Sequence, residues 1–371
     1  MIGLRLQDLP TPAAIVDLDR VEANCAWMSA RAQALGVRLR PHVKTHKCVP
    51  VAQLQVGGHD AGITVSTLAE ARHFASAGFR DITYAVPVSP GRVAEAIALG
   101  DSIDRLNLLV DCDAPVDAIE SAADGRVVPV FLKVDCGYGR AGVRPDSDQA
   151  QTLAERLHRS QHIDFRGLLT HGGHSYDCAD RAEIVAVAEQ ERDVVVGFAQ
   201  RLRSQDIPIP EVSVGSTPTM RVAEDLDGVT EIRPGNYAFF DVYQSMIGSC
   251  TLQEVGFSVL TTVIGSYPEE SRVVVDAGAL ALSKDAGATH VDAQCGYGVV
   301  CDLEARPVSS MRLVSLSQEH GKVRTGESVP QVGTLLRLMP NHSCLSSALF
   351  ETYHVVRRQT VVDEWMPVRG W

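Results

Sequence analysis

The sequence lacks the features that mark membrane, secreted and nucleic-acid-binding proteins. No apolar run is long enough to span a bilayer, and the first residues contain no apolar segment of the signal-peptide kind. Positive charge is scarce, with 34 Lys and Arg against 46 Asp and Glu, whereas nucleic-acid binding requires a basic surface. We therefore expect a cytoplasmic protein that binds neither membranes nor nucleic acids.

Two further patterns are missing. The nine cysteines form no CxxC pair and have no regular spacing, which is typical of reduced thiols rather than of a disulfide framework. No GxGxxG motif follows an early strand, so the fingerprint of a dinucleotide-binding fold is absent.

The sequence does contain a regular alternation of short apolar runs and longer helical stretches up to about residue 245. Eight runs are candidate strands: 39–43, 61–65, 82–86, 106–110, 128–134, 165–170, 211–215 and 230–234. Most are apolar throughout, as expected of parallel strands covered on both faces. Eight βα repeats predict an α/β fold of the (β/α)8 TIM-barrel type rather than an open doubly wound sheet.

The pattern changes after Gly248, where strand-like runs separated by turns replace the helical periodicity. We predict two domains: a barrel at 12–245, and a mostly β domain at 250–371 that includes residues 1–11. A helix is predicted at 19–35, before the first barrel strand, and residues 13–17 are a candidate extra strand.

The densest group of reactive side chains is RPHVKTHK at 40–47. Lys44 falls at the C-terminal end of the first predicted barrel strand, which is the face where active sites of this fold lie. A lysine amine becomes a nucleophile when burial or neighbouring cations lower its pKa. We expect such surroundings from the basic neighbours in sequence, which are Arg40, His42, His46 and Lys47. The same motif also fits a solvated basic strand end.

Motifs rich in glycine or hydroxyl groups follow the later strands. GSTPT (215–219) and RPGNY (233–237) follow the seventh and eighth strands, where barrels often bind phosphate. HGGHSY (171–176) follows the sixth strand, and DCGYGR (135–140) follows the fifth. Each motif alone is compatible with an ordinary turn, but all of them are predicted at one end of the barrel.

A possible metal-binding pair lies in PNHSC at 340–344. Residues two apart in an extended segment point to the same side, so His342 and Cys344 could hold one metal ion. An imidazole with a thiolate favours Zn²⁺ over Mn²⁺ or Mg²⁺. On pattern alone, a lone HxC is most often due to chance and does not identify a site.

These motifs, and their order along the chain, resemble those of the D-serine dehydratase and D-threonine aldolase family of fold-type III enzymes, which use pyridoxal 5′-phosphate (PLP). RPHVKTHK together with PNHSC carries most of the resemblance, which covers nearly the whole chain. It implies an alanine-racemase-like barrel followed by a β domain, and a homodimer. Lys44 would form the Schiff base with PLP and remove the substrate Cα proton.

The resemblance also implies roles for other residues. The PLP ring would be lined by Thr67, Arg140, His171 and Tyr176. The phosphate would be surrounded by Gly215, Ser216, Thr217, Gly235, Asn236 and Tyr237. The metal would be bound by His342 and Cys344, and His171 is the candidate second acid–base residue.

The residue at 344 bears on the reaction. Dehydratase members of the family have His-x-Cys where aldolase members have His-x-Asp, so Cys344 favours a dehydratase. We expect β-elimination of a small D-3-hydroxy amino acid, such as D-serine, D-threonine or D-threo-3-hydroxyaspartate, to a 2-oxo acid and ammonia. The alternatives are retro-aldol cleavage to glycine and an aldehyde, racemisation, and PLP binding without turnover.

Overall fold

The computed structural model describes residues 1–57 and 62–371, and their contacts divide the chain into two compact units. The barrel unit comprises Met28–Gly235 with Val368–Trp371, and the β unit comprises Met1–Trp27 with Asn236–Pro367. Within residues 1–57 and 62–371, no helix combines the length and the apolar character that a membrane crossing requires.

The helices and strands follow one another in two series. The first series is β1 (Ala13–Asp17), α1 (Leu18–Ala34), β2 (Arg38–Leu39), α2 (Val49–Val56), β3 (Ile63–Val65), α3 (Leu68–Ser76), β4 (Asp81–Pro87), α4 (Val93–Gly100), β5 (Arg105–Val110), α5 (Asp113–Ala122), β6 (Val128–Lys133), α6 (Asp148–Arg159), β7 (Ile163–Leu169), α7 (Arg181–Arg203), β8 (Glu211–Val214), α8 (Thr217–Val222) and β9 (Glu231–Ile232). The second is α9 (Val242–Met246), β10 (Phe257–Tyr267), β11 (Arg272–Val275), α10 (Ala279–Leu282), β12 (Gly298–Cys301), β13 (Arg312–Leu316), β14 (Gly321–Arg324), β15 (Leu335–Pro340), α11 (Ser343–Ser347), β16 (Tyr353–Arg357) and β17 (Thr360–Trp365).

Strands β2 to β9 form one parallel sheet in the order β2-β9-β8-β7-β6-β5-β4-β3. Its two edges meet, because a parallel bridge joins His42 to Thr64 and the Thr64 N–H donates to the Pro41 carbonyl at 2.9 Å. The sheet therefore closes as a (β/α)8 barrel, which confirms the predicted fold class. Each predicted run overlaps one barrel strand, although Ala61, at the start of the second run, lies outside the described residues.

The first barrel strand is shorter than predicted. β2 ends at Leu39 instead of residue 43, since Pro41 has no N–H to donate to a strand ladder. Val43–Thr45 forms a single turn of 3₁₀ helix. Lys44 therefore lies in a tight turn just beyond the bridge that closes the barrel.

The β unit is built on a second sheet with the order β13-β14-β11-β10-β1-β16-β17, and β15 pairs with β10 and β12. The mostly β character predicted after Gly248 is confirmed. One core cluster packs beneath this sheet, formed by Leu6, Leu9, Ala13, Ile15, Leu260, Val356 and Val361. The N-terminal segment belongs to it, because Arg5 bridges to Thr360 on β17.

Two segments lie in the β unit although the predicted barrel domain, 12–245, included them. Residues 13–17 are the extra strand, but β1 pairs antiparallel with β10 and parallel with β16 rather than with any barrel strand. Residues 236–245 are bound to the later chain, since the Tyr243 N–H donates to the Asn341 carbonyl at 3.1 Å. The change of unit thus falls at Gly235, before the predicted boundary at 245–250.

Candidate active site

Lys44 is presented by the turn at the C-terminal end of the barrel. The His42 side chain caps this turn, accepting a hydrogen bond on Nδ1 from the Lys44 N–H at 3.4 Å. The His42 Nε2 lies 3.3 Å from the Ser66 hydroxyl, which follows β3. Contacts on both sides of the barrel closure therefore fix the backbone that carries Lys44.

Two histidines near Lys44 are held neutral. Burial lowers the pKa of both His42 and His171 well below the ordinary value, and the positive charge of Lys44 lowers each further. His171 Nδ1 lies 3.3 Å from the Gly215 carbonyl oxygen. At neutral pH the lysine thus has uncharged imidazoles beside it, which can accept protons.

The cationic neighbours expected from sequence are mostly elsewhere. Arg40 is buried at the opposite end of the barrel, where it pairs with Asp81 at 2.8 Å and Glu231 at 2.9 Å. That expectation was wrong for Arg40, because adjacent residues of a strand point to opposite faces and its long side chain reaches the strand starts. His46 bonds to Gln55 at 2.9 Å, so it too is engaged away from the lysine amine.

The charges that act on this site come from strands distant in sequence. Lys133 ends β6, and burial, followed by the charge of Arg233, lowers its pKa to about 7. Arg233 follows β9 and donates to the Ser213 hydroxyl and to the Thr170 carbonyl. Both cations, with Arg140, help to lower the pKa of His171. Sequence reasoning missed Lys133, although a lysine in the otherwise apolar run VPVFLKV was a visible signal.

The motifs HGGHSY and DCGYGR meet around the ring of Tyr138. A side chain on Gly173 would bring its Cβ within 2.2 Å of that ring, so only glycine fits there. The Tyr138 ring packs edge-on against His171 at 6.4 Å and stacks on His174 at 6.1 Å, measured between ring centroids. The Arg140 guanidinium lies 5.1 Å from the same ring centroid. The predicted ring-lining residues Arg140 and His171 are therefore brought to one place.

The two other predicted ring contacts occupy defined positions. Tyr176 ends a 3₁₀ turn, Gly173–Tyr176, within the same motif. Thr67 is buried and caps α3, where its hydroxyl accepts a hydrogen bond from the Glu70 N–H at 3.0 Å. Contact of either residue with a cofactor stays a prediction.

The loops predicted to hold phosphate are tightly built. Gly215 has a φ of +113°, a conformation that favours glycine, and its N–H donates to Glu191 at 2.9 Å. The Ser216 N–H donates to the Thr219 hydroxyl at 2.9 Å. These two N–H groups already have protein acceptors, so a phosphate there would rely on other donors, such as Thr217 and the Ser216 hydroxyl.

Gly235 connects the loop after β9 with the Lys44 turn. A Cβ at this position would lie 2.4 Å from the His42 carbonyl oxygen. Only glycine allows this approach of two backbones.

In the β unit, His342 and Cys344 are close to each other, but not because they lie on one side of an extended segment. The extended segment expected there was wrong, because residues Ser343–Ser347 form the short helix α11 with His342 as its N-cap. Burial would lower the pKa of His342, but the Cys344 sulfur and the Asp285 carboxylate raise it. The imidazole therefore has an anionic donor next to it.

Asp285 was missed by sequence reasoning, since it lies 57 residues before its partner. Its Oδ2 accepts a hydrogen bond from His342 Nδ1 at 3.0 Å, and this bond holds the pKa of the carboxyl below its ordinary value. The Gly287 N–H donates to the other oxygen at 2.8 Å. With Nδ1 so engaged, Nε2 is the nitrogen left to bind a metal.

Among the described residues, the Asn236 side chain contacts residues of the β unit around Cys344, and not the glycine-rich loops of the barrel unit. Its side-chain amide donates to Asp241 at 2.8 Å, to the Ser343 hydroxyl at 3.1 Å and to the Cys344 sulfur at 3.6 Å. Asp241 also accepts from the Ser343 N–H at 3.0 Å. If Asn236 contacts the PLP phosphate, the contact would therefore have to come from its backbone. The predicted phosphate contact of Tyr237, its buried neighbour, stays a prediction.

The residues present fit both implied groups. The barrel mouth offers Lys44 for an aldehyde and a set of cations for a phosphate, with glycines where a Cβ would close the space. His342 and Cys344 supply the nitrogen and sulfur donors that Zn²⁺ prefers. In residues 1–57 and 62–371 no three His, Cys, Asp or Glu side chains form a metal-binding group.

Comparison with known proteins agrees with both halves of this description. Residues 16–242 match the family described as the alanine racemase N-terminal domain, and residues 256–356 match the serine dehydratase domain. D-threo-3-hydroxyaspartate dehydratase of Delftia sp. (strain HT23) is 41% identical over 376 residues, covering 99% of each chain. D-serine dehydratase of Dictyostelium discoideum is 36% identical over 397 residues, covering 99% of this chain and 98% of that protein.

A solved structure extends the comparison to three dimensions. A cysteine-to-alanine mutant of D-threo-3-hydroxyaspartate dehydratase, in its metal-free form, superposes with a TM-score of 0.95 at 40% identity, covering 99% of this chain and 100% of that one. The chain belongs to the D-serine dehydratase branch of the fold-type III PLP enzymes, with an alanine-racemase-like barrel and a serine dehydratase domain.

Proposed function

We propose that this protein is a PLP- and zinc-dependent lyase that converts a small D-3-hydroxy amino acid into a 2-oxo acid and ammonia. Candidate substrates are D-serine, D-threonine and D-threo-3-hydroxyaspartate. The observation that carries the proposal is the imidazole–thiolate pair of His342 and Cys344, accompanied by Asp285, in a family member whose barrel presents Lys44. An amino-acid racemase has no need of such a pair.

Each group has an assigned residue. Lys44 would hold the PLP aldehyde, with Thr67, Arg140, His171 and Tyr176 at the ring. The phosphate would lie among Gly215, Ser216, Thr217, Gly235 and the backbone of Asn236 and Tyr237. Bound PLP supplies an electron sink, and bound Zn²⁺ supplies a Lewis acid that makes the substrate hydroxyl a better leaving group.

The residues of the chain then divide the proton transfers. The Lys44 amine would take the proton from the substrate Cα, since an amine at the site of PLP attachment can act as a general base. His171, kept neutral, is a second group that can take or return a proton. The substrate first loses one water molecule, and hydrolysis of the resulting imine later consumes one. The net products are therefore a 2-oxo acid and ammonia.

The experiment that tests this proposal is product analysis. The purified enzyme with PLP and Zn²⁺ is incubated separately with each candidate substrate, and ammonia and aldehyde are both measured. We expect ammonia with a 2-oxo acid, lost on chelation and restored by Zn²⁺. Glycine with an aldehyde would instead identify a D-3-hydroxy amino acid aldolase, and conversion to the L-isomer a racemase. Absence of any turnover would leave a PLP-binding protein.

We also propose a cytoplasmic homodimer. The nine cysteines form no CxxC pair and have no regular spacing, as expected of a reducing compartment, and the family resemblance favours a dimer. Analytical ultracentrifugation should give a mass of about twice 40.0 kDa, and a single 40.0 kDa species would contradict the dimer.

A further inference from the structure

Glu191 is a buried carboxylate with no role in the proposed chemistry. It lies in the middle of α7, the helix that follows β7, and its relative exposure is 0%. A carboxylate without contact to water is retained only where donors satisfy it. The donors around Glu191 therefore show what it does.

In the described part of the chain its donors are two loop glycines and a threonine of α8, all of which follow β7 or β8. Oε1 accepts hydrogen bonds from the N–H groups of Gly172 at 2.6 Å and Gly215 at 2.9 Å. Oε2 accepts one from the Thr219 hydroxyl at 3.0 Å. One side chain thus ties the loop after β7 to the loop after β8.

Both peptide contacts adjoin the same histidine. Gly172 directly follows His171, and the Gly215 carbonyl lies 3.3 Å from His171 Nδ1. A carbonyl oxygen can only accept, so this contact is a hydrogen bond when Nδ1 carries the proton. The Gly215 N–H then donates a hydrogen bond to Glu191, and the Gly215 carbonyl accepts one from the His171 imidazole.

We propose that Glu191 is a positioning residue for His171, fixing the imidazole in the Nδ1–H tautomer so that Nε2 is its basic nitrogen. The use of that nitrogen in turnover rests on the proposed function, whereas the tautomer itself does not. The surroundings keep His171 uncharged, so that a single tautomer can be selected at neutral pH.

Glu191 also acts through its charge, and the variants separate this effect from positioning. Its negative charge acts on Lys133 and Arg233, raising the pKa of both against burial. Glu191→Gln removes the charge but keeps an acceptor oxygen for the two N–H groups. Glu191→Met removes both at similar volume, and Glu191→Ala removes both with a cavity.

The experiment is ¹⁵N NMR of the histidine rings in the full-length protein, with and without PLP. Loss of one signal in His171→Gln identifies the His171 ring. We expect the Nδ1–H pattern in the wild type and in Glu191→Gln, and a mixture of tautomers in Glu191→Met and Glu191→Ala. Ammonia production should keep its KM and lose about 10²-fold in kcat in those two variants, as expected when a reacting group is misplaced.

The control is Glu189→Gln with Glu189→Ala, an exposed residue of the same helix, which should leave the tautomer unchanged. Retention of the Nδ1–H pattern in Glu191→Met or Glu191→Ala would overturn the proposal. Loss of the pattern in Glu191→Gln would also overturn it, because the charge of Glu191 would then be responsible for the tautomer. If neither Met nor Ala folds, Glu191→Asp decides, because its shorter side chain keeps the charge but withdraws the carboxylate from the two N–H groups. A mixture of tautomers in Glu191→Asp would support the proposal, and an unchanged Nδ1–H pattern would overturn it. Because the NMR requires no substrate, failure of the wild type to release ammonia would refute the proposed function separately.

Discussion

His171 in the barrel unit and His342 in the β unit are both surrounded by ionisable groups, yet their pKa values shift in opposite directions. Burial and the charges of Lys44, Lys133 and Arg140 lower the pKa of His171, whereas the Cys344 sulfur and the Asp285 carboxylate raise that of His342 against burial. The same side chain is thus prepared as a neutral proton acceptor in one place and as the partner of anionic donors in the other. The sign of the neighbouring charge separates the two chemistries.

Removal of Lys44 gives the largest expected effect and tests the barrel half of this comparison. Lys44→Ala should lose the visible absorbance of lysine-bound PLP and at least about 10³-fold in ammonia production, because it removes both the attachment point and the base. Absorbance spectra and initial rates measure this. Lys322→Ala, an exposed lysine of β14, is the control, and a Lys44→Ala protein that keeps the wild-type spectrum would contradict the assignment.

Removal of Cys344 tests the β half. Cys344→Ala should bind less than one equivalent of Zn²⁺ and lose at least about 10²-fold in ammonia production, since Lewis-acid activation contributes several kcal/mol. PLP absorbance should be unchanged, which separates this effect from that of Lys44→Ala. Metal analysis and rates are compared with Cys112→Ala, a partly exposed thiol of the barrel unit. Full activity of Cys344→Ala after chelation would show that the pair is not a metal site.

A weaker effect is expected from Asp285→Asn, because it changes only the partner of a metal ligand. The amide can still accept from His342 Nδ1 but carries no charge, so Zn²⁺ affinity should fall by about 10–100-fold. Competition with a chromophoric chelator measures the affinity. Asp292→Asn in the same loop is the control, and equal affinities of Asp285→Asn and wild type would remove Asp285 from the site.

The smallest expected effect concerns stability. The pKa of Lys133 is about 7 in the folded protein and 10.5 in the unfolded chain. Between these values the unfolded chain binds a proton that the folded chain does not, so this group makes stability rise with pH. Lys133→Met removes that titration, and it should melt above the wild type at pH 7 by about 2 °C or more.

This difference in melting temperature should shrink as the pH approaches 10. Calorimetry at several pH values measures it, with the exposed Lys322→Met as control. A difference that stays constant with pH would mean that Lys133 is not neutralised by burial.

Much of the fold follows from local sequence patterns, whereas the site follows only in part. Each barrel strand was visible as a short apolar run, because burial on both faces leaves a continuous signal. Lys44 and Cys344 could be predicted from motifs. Lys133, Glu191 and Asp285 act through partners distant in sequence, and no local spacing encodes such pairs. Arg40 was misplaced for the same reason, since the end of the barrel that a long side chain reaches depends on tertiary contacts.

The pairing of the first barrel strand with its two neighbours also has a consequence for how the enzyme matures. The turn that carries Lys44 is held by Thr64, which donates to Pro41, and by Pro234, whose carbonyl accepts from the His42 N–H at 2.9 Å. The second contact joins residues nearly 200 positions apart, so its loop closes late and slowly during folding. A chain still emerging from the ribosome already contains Lys44 but lacks the contacts that fix its turn. Capture of the cofactor therefore depends on completion of the whole barrel.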